Sequence, residues 1–143
     1  MSDAALVLPC PSCRTLNRVP PQRLRDVPVC ATCQHRLLGE PIALDAAAFE
    51  RITQKATLPL VVDFWAAWCG PCRQMAPQFA AAARELAGEF VFGKVDTEAE
   101  PALADRFQVR SIPTLVLLQR GREVRRHSGL MSAAQLATWL RAS

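Results

Sequence analysis

No stretch of this chain is apolar over anything near the roughly 20 residues that a helix needs to cross a bilayer, so a membrane-spanning helix is not expected. A secretory leader is not expected either. Ala4 to Leu8 is a short apolar stretch, but no basic segment precedes it and it runs straight into Cys10. Charge of one sign is also lacking. The formal net charge is only +4, and basic runs such as Arg120 to Arg126 are broken by apolar and acidic positions, the pattern of a solvated face. There is no internal repeat, and no low-complexity tract beyond the modest Ala80 to Ala83 run. These absences point to a monomeric cytoplasmic protein with no nucleic-acid or membrane partner.

What is present is a core and a set of cysteines. Half of the 143 residues are hydrophobic, enough for one ordinary domain or a domain with a small appendage. The six cysteines fall into three pairs, each with two residues between: Cys10 and Cys13, Cys30 and Cys33, Cys69 and Cys72. Cytoplasmic thiols are kept reduced, so they need an explanation other than structural disulfides. The first two pairs lie close together in a Pro- and Arg-rich segment; the third lies far downstream in a different setting. The chain therefore divides into residues 1–40 and 41–143.

Residues 1–40 hold Pro9, Pro11, Pro20, Pro21 and Pro28, only scattered aliphatics and little periodicity, so a segment this short needs a staple to fold. Beyond Pro41 the elements are clearer. Ala46 to Lys55 is predicted as a helix with Asp45 at its N-cap. Leu58 to Ala66 is a nearly continuous apolar run, the mark of a strand buried on both faces. Cys72 to Gly88 is predicted as a helix with a kink at Pro77, Phe90 to Asp96 as a strand, and Pro101 to Phe107 as a short helix. Thr114 to Gln119 and Glu123 to His127 form a hairpin around Arg120-Gly121-Arg122. Ser132 caps a closing helix to Arg141. The expected class is α/β: a central mixed sheet, parallel in its first half and antiparallel at the hairpin, flanked by helices.

Cys69 and Cys72 follow directly on the buried strand and open a helix. Unpaired backbone N–H groups and the macrodipole at a helix start favour an anion, which lowers a thiol pKa and raises the fraction of attacking thiolate. Cys72, three residues on, can reach the sulfur of Cys69, and Gly70-Pro71 permits the tight turn. Cys69 would attack a disulfide and Cys72 would then resolve the mixed disulfide. Half of a metal site, or a chance CxxC, is the competing reading. Asp63 is an acid in the middle of an apolar strand, costly there unless paired or protonated, or else a strand-end carboxylate that reaches solvent.

From Val62-Asp63-Phe64-Trp65-Ala66 through Trp68-Cys69-Gly70-Pro71-Cys72 to Ile112-Pro113-Thr114, residues 41–143 resemble the thioredoxins. The resemblance implies the thioredoxin fold, reduction of protein disulfides in the cytoplasm, and recharging by an NADPH-dependent flavoprotein, thioredoxin reductase. It gives Asp63 the task of moving a proton to and from Cys72. Lys94 is similar to the lysine partner of that acid, with an ordinary exposed lysine as the alternative. Ile112-Pro113 matches the family's cis-proline site, and cis bonds are almost confined to X-Pro. Trp68, Gly70, Pro71, Ile112, Pro113 and Gly129 would then form an apolar docking surface for oxidised substrate proteins. Trp65 reads as core packing beside the site, and His127 as exposed.

The upstream cysteines have the pattern C-x2-C-x16-C-x2-C, within the range of a four-thiolate zinc site. Cys10, Cys13, Cys30 and Cys33 would hold one structural Zn2+ per chain, and the metal would supply folding energy that the segment lacks. Two further disulfides, or redox-active thiols, are the alternatives. A zinc ribbon ahead of such a domain resembles the zinc-containing bacterial thioredoxins, in which case the ribbon modulates activity or senses oxidant. A different class of function would have the ribbon grip nucleic acid. Its five arginines against three acids make that a weak case, and it has no aromatics for base stacking. An exported oxidant or isomerase would need the leader that was not found.

Overall fold

The computed structural model describes residues 6–55 and 57–142; Asp3 and the first residues of the Ala4 to Leu8 stretch lie outside them. The chain begins with a two-stranded antiparallel ribbon, β1 (Leu6–Pro9) on β2 (Leu16–Val19), followed by a 3-10 turn over Pro21–Asp26. The rest is a five-stranded sheet in the order β3-β5-β4-β6-β7. Its strands are β3 (Ile42–Ala43), β4 (Leu60–Trp65), β5 (Val91–Asp96), β6 (Thr114–Gln119) and β7 (Arg122–Ser128). The helices are α1 (Ala46–Lys55), α2 (Gly70–Glu85), α3 (Pro101–Arg106) and α4 (Ala133–Arg141). β3 and β4 run parallel to β5, whereas β6 is antiparallel to both β4 and β7. The sheet is thus mixed in the way the element order implies.

The local causes are legible. Asp45 Oδ1 accepts from Ala48 N at 2.8 Å and starts α1. Ser132 and Gln135 form a capping box at the start of α4. Arg120 and Gly121 both have positive φ, the conformation a two-residue hairpin turn requires between β6 and β7. α2 starts two residues earlier than its composition suggests, because Cys69 itself is the N-cap. The helix runs on through Pro77, whose missing N–H leaves the Arg73 carbonyl without an intrahelical donor.

The sheet separates two apolar layers. Leu60, Val62 and Phe64 of β4 face one layer with α1, Leu103 of α3 and Phe107. Val61 faces the other, where Met75, Phe79 and Leu86 meet Leu136 and Leu140 of α4. By strand alternation Asp63 shares the face of Val61, under α2.

Three elements differ from expectation. β1 and β2 are strands too short to show a period. β3 is a two-residue edge strand in register with Gly93 and Lys94 of β5. The ribbon also has more than a staple: Leu8, Cys10, Val19, Cys30 and Leu37 belong to the same buried cluster as Ile42, Leu44, Phe49 and Ile52. His127 is half-buried rather than exposed, with its ring edge towards Trp139 at 6.2 Å between centroids.

Candidate active site and metal centre

β4 and β5 run parallel and end at the same edge of the sheet, so the chain leaving each strand delivers residues to one place. After β4 come Trp68 and the Cys69-Gly70-Pro71-Cys72 turn. Cys69 and Cys72 form a disulfide, with 5.2 Å between their Cα atoms. The Cys72 backbone N–H donates to Cys69 Sγ at 3.2 Å, so the first sulfur already occupies the anion-favouring position of the helix start. Cys69 Sγ also lies 3.7 Å from the carbonyl oxygen of Ile112, which precedes a cis peptide to Pro113. Ala66, Cys69 and Cys72 pack together with Trp65 and Ile112 around them.

A groove of about 480 Å³ opens beside this turn. Trp68, Cys69, Gly70, Pro71 and Ile112 line it; Cys72 does not, which leaves Cys69 as the sulfur on the groove side. Trp68 is 67% exposed, and its indole Nε1 donates to Glu98 Oε2 at 3.3 Å. Pro113 and Gly129, also expected in the docking surface, do not line the groove; the Gly129 N–H, at φ +108°, donates to the Pro113 carbonyl at 2.9 Å. Thr97, Ala104, Val109, Arg110 and Ser111 complete the lining. No motif marks those five. The signal that could have found them is topological: Thr97 follows β5, Ala104 lies within α3, and Val109, Arg110 and Ser111 follow α3, at the edge where β4 delivers the cysteines.

Asp63 is fully buried, and neither carboxylate oxygen has a hydrogen-bond partner. Loss of water pushes its pKa up to about 6, and the positive charge of Lys94 works against that rise. Lys94 sits opposite Asp63 in the parallel register. It is half-buried, with Nζ 4.7 Å from the centroid of the Trp65 ring. The contact is of the cation–π kind, so Trp65 both packs the site and holds the ammonium beside the acid.

The four upstream cysteines converge through two matching knuckles. Cys10 N donates to Thr15 O and Arg14 N to Cys10 O; Cys30 N donates to His35 O and Gln34 N to Cys30 O. Arg14 and Gln34, the equivalent residues, share a φ of 67°. Backbone N–H groups of Ser12 and Cys13 point at Cys10 Sγ, and that of Thr32 at Cys30 Sγ. All four sulfurs lie within 4.8 Å of one another, with Cys10–Cys33 and Cys13–Cys30 at 3.5 Å. A tetrahedral ion bound at about 2.3 Å by thiolates spaces its sulfurs by about 3.8 Å, so the set fits one such cation. The electrostatics agree. Backbone N–H groups, that of Cys33 first, draw the Cys30 thiol down to about 6. For Cys33, the backbone N–H of His35 is outweighed by burial and by the three neighbouring sulfurs, which push it up to about 11. Four thiolates this close need a cation between them.

The disulfide at a helix start, beside a groove and above a buried acid, defines a thiol–disulfide oxidoreductase. The family model described as Thioredoxin matches residues 40–142, and the one described as Thioredoxin 2, N-terminal, a zinc ribbon, matches residues 9–35. Thioredoxin C-3 of Corynebacterium nephridii is 45% identical over 136 residues, covering 94% of this chain and 93% of its own. The bifunctional thioredoxin reductase/thioredoxin of Mycobacterium leprae is 39% identical over 98 residues, 68% of this chain and 21% of that one. Among solved structures, a mutant thioredoxin from Halobacterium salinarum superposes with a TM-score of 0.67 at 28% identity, covering 73% of this chain and 90% of that chain. The chain belongs to the thioredoxin family, with an N-terminal segment similar to the zinc ribbon of thioredoxin 2. No helix among the described residues is long and apolar enough to cross a membrane.

Proposed function

We propose that this protein reduces disulfides of other proteins, with Cys69 as the nucleophile and Cys72 as the resolving thiol. The observation that carries the reading is that Cys69, and not Cys72, lines the groove while its sulfur accepts from the helix-start N–H. The Cys69 thiolate attacks one sulfur of the substrate disulfide, and the substrate's other sulfur leaves as a thiolate and takes up a proton. The Cys72 thiolate then attacks Cys69 Sγ, releases the second substrate thiol, and leaves the Cys69–Cys72 disulfide. Asp63, kept protonatable near neutral pH by burial, exchanges the proton of Cys72, and Lys94 stabilises its charged form. Trp68, Gly70, Pro71, Ile112, Pro113 and Gly129 build the face that receives the substrate segment. NADPH-dependent thioredoxin reductase restores the dithiol; that a relative joins a reductase and a thioredoxin in one chain favours this pairing.

In the same reading the protein is a cytoplasmic monomer of two parts, a ribbon over 1–40 and a thioredoxin domain over 41–143. Cys10, Cys13, Cys30 and Cys33 hold one zinc ion, which would cross-link the two knuckles and neutralise their thiolates. The ribbon modulates activity or senses oxidant. Contact supports that role: Arg14, in the first knuckle, donates to Ala43 O at 3.0 Å, and Ala43 is in register with Lys94. Insulin reduction by the full chain with NADPH and thioredoxin reductase tests the function. Turnover that disappears in Cys69→Ser is expected, and a wild-type chain that reduces no insulin, even when recharged by dithiothreitol, would refute it.

A further inference from the structure

Arg110 is the one charged residue lining the groove beside Cys69. It is exposed, and it makes no ion pair among the described residues. Three other arginines already have partners. Arg73 donates to Ala67 O at 2.7 Å, Arg106 pairs with Glu50, and Arg126 holds both Glu123 and the Phe107 carbonyl. The acid that touches a groove residue, Glu98, is bonded to the Trp68 indole. A groove lined by otherwise uncharged residues therefore presents an uncompensated planar donor, of the kind that matches a carboxylate.

We infer that Arg110 sets substrate preference, favouring oxidised protein segments that carry Asp or Glu close to the reacting cysteine. The inference rests on the proposed reading that this groove receives an extended substrate segment. The distance along the substrate follows from chain geometry. Cys69 Sγ is 3.7 Å from Ile112 O, and the two residues from Arg110 to Ile112 span at most about 7 Å. An extended substrate advances about 3.3 Å per residue, so the carboxylate belongs within about two or three residues of the cysteine. An exposed pair of this kind is modest in strength. An acidic segment should gain about two- to fivefold, and a basic one should lose a similar factor.

The test uses the full chain, reduced beforehand, in single turnovers. Substrates are octapeptides whose one cysteine is joined by a disulfide to 2-mercaptoethanol, with Glu, Gln or Lys two residues away. Acid-quenched samples are separated and the released peptide thiol is counted. Wild type should reduce the Glu peptide about fourfold to 25-fold faster than the Lys peptide at low salt, the product of the gain and the loss. The ratio should shrink in 0.5 M salt as the charges are screened. Arg110→Glu should invert the ratio, and Arg110→Lys should keep its direction. Each readout is a ratio within one variant, so a general loss of activity cancels. Equal rates for the Glu and Lys peptides in wild type, or an unchanged ratio in Arg110→Glu, would overturn the inference while leaving disulfide reduction intact. Failure of wild type to reduce any peptide would overturn both.

Discussion

Asp63→Asn should stabilise the oxidised protein at pH 7 and leave it unchanged at pH 3.5. The carboxyl has an ordinary value of 3.8 and is pushed up to about 6 by burial. Below about pH 4 it is protonated in the folded and the unfolded chain alike. Between about pH 4 and 6 the unfolded chain releases the proton and the folded chain does not, so stability falls as pH rises. Above about 6 the loss is complete. A difference of about two pKa units corresponds to about 3 kcal/mol. The asparagine amide keeps the shape and remains unpaired, much as the neutral acid does, so the variant removes only the charge. For a chain of this length that is a gain of roughly 10 °C in melting temperature at pH 7. Urea unfolding of both proteins in the disulfide form at pH 3.5, 5 and 7 measures it. Groups common to both proteins cancel, and only the pH dependence of the gap is read. The same gap at pH 3.5 and pH 7 would refute the account of Asp63 as a buried charge that Lys94 compensates only in part.

Three further outcomes are expected. Cys69→Ser should abolish disulfide reduction, whereas Cys72→Ser should accumulate mixed disulfides with substrates, visible on non-reducing gels; normal turnover by Cys72→Ser would reverse the assignment. Elemental analysis of freshly reduced protein should find about one zinc per chain, lost on serine replacement of Cys10, Cys13, Cys30 or Cys33 and retained on replacement of Cys69 and Cys72. Leu37→Ala in the ribbon should cost about 2–5 kcal/mol, the range for truncating a buried leucine, and should lower the single transition of the whole chain; a thioredoxin-domain transition left unmoved would show that the ribbon folds apart from it.

Much of this was legible in the sequence because the chemistry is concentrated in short runs. Trp68 to Cys72 names the reactive turn, Asp63 stands out as a lone acid in an apolar strand, and the spacing of the upstream pairs names a metal site. Apolar runs mark β4, β5 and β6, the Arg120-Gly121-Arg122 turn marks β7, and composition with capping or first-turn residues marks the helices. The parts that were not legible are those where position comes from tertiary structure. β3 is a strand only because β5 offers it an edge. Thr97 and Arg110 reach the groove because the segments beyond β5 and α3 arrive where Cys69 sits. Lys94 is marked as the partner of Asp63 by resemblance alone; its place opposite Asp63 and over Trp65 comes from the register of β4 on β5.

The ribbon has buried apolar residues of its own besides the cluster of four cysteines. Too few apolar residues lie in 1–40 to fold alone, which is why a metal is called for. Yet Leu8, Val19 and Leu37 are buried, and they share one cluster with Phe49 and Ile52 of α1. Cys10 and Cys30 have no solvent exposure, so two of the four cysteines that would offer sulfurs to a metal also belong to that core, while Cys13 and Cys33 are exposed. Fixing four sulfurs at one ion would set the spacing of the two knuckles and so hold the ribbon's apolar side chains against α1 and β3. The domain in turn supplies the partners those side chains lack. Each part thus lowers the conformational entropy cost of ordering the other. Loss of metal would then be felt as a drop in the stability of one cooperative unit, with the loosening concentrated at the β3 edge and at α1, rather than as the release of an independent tail.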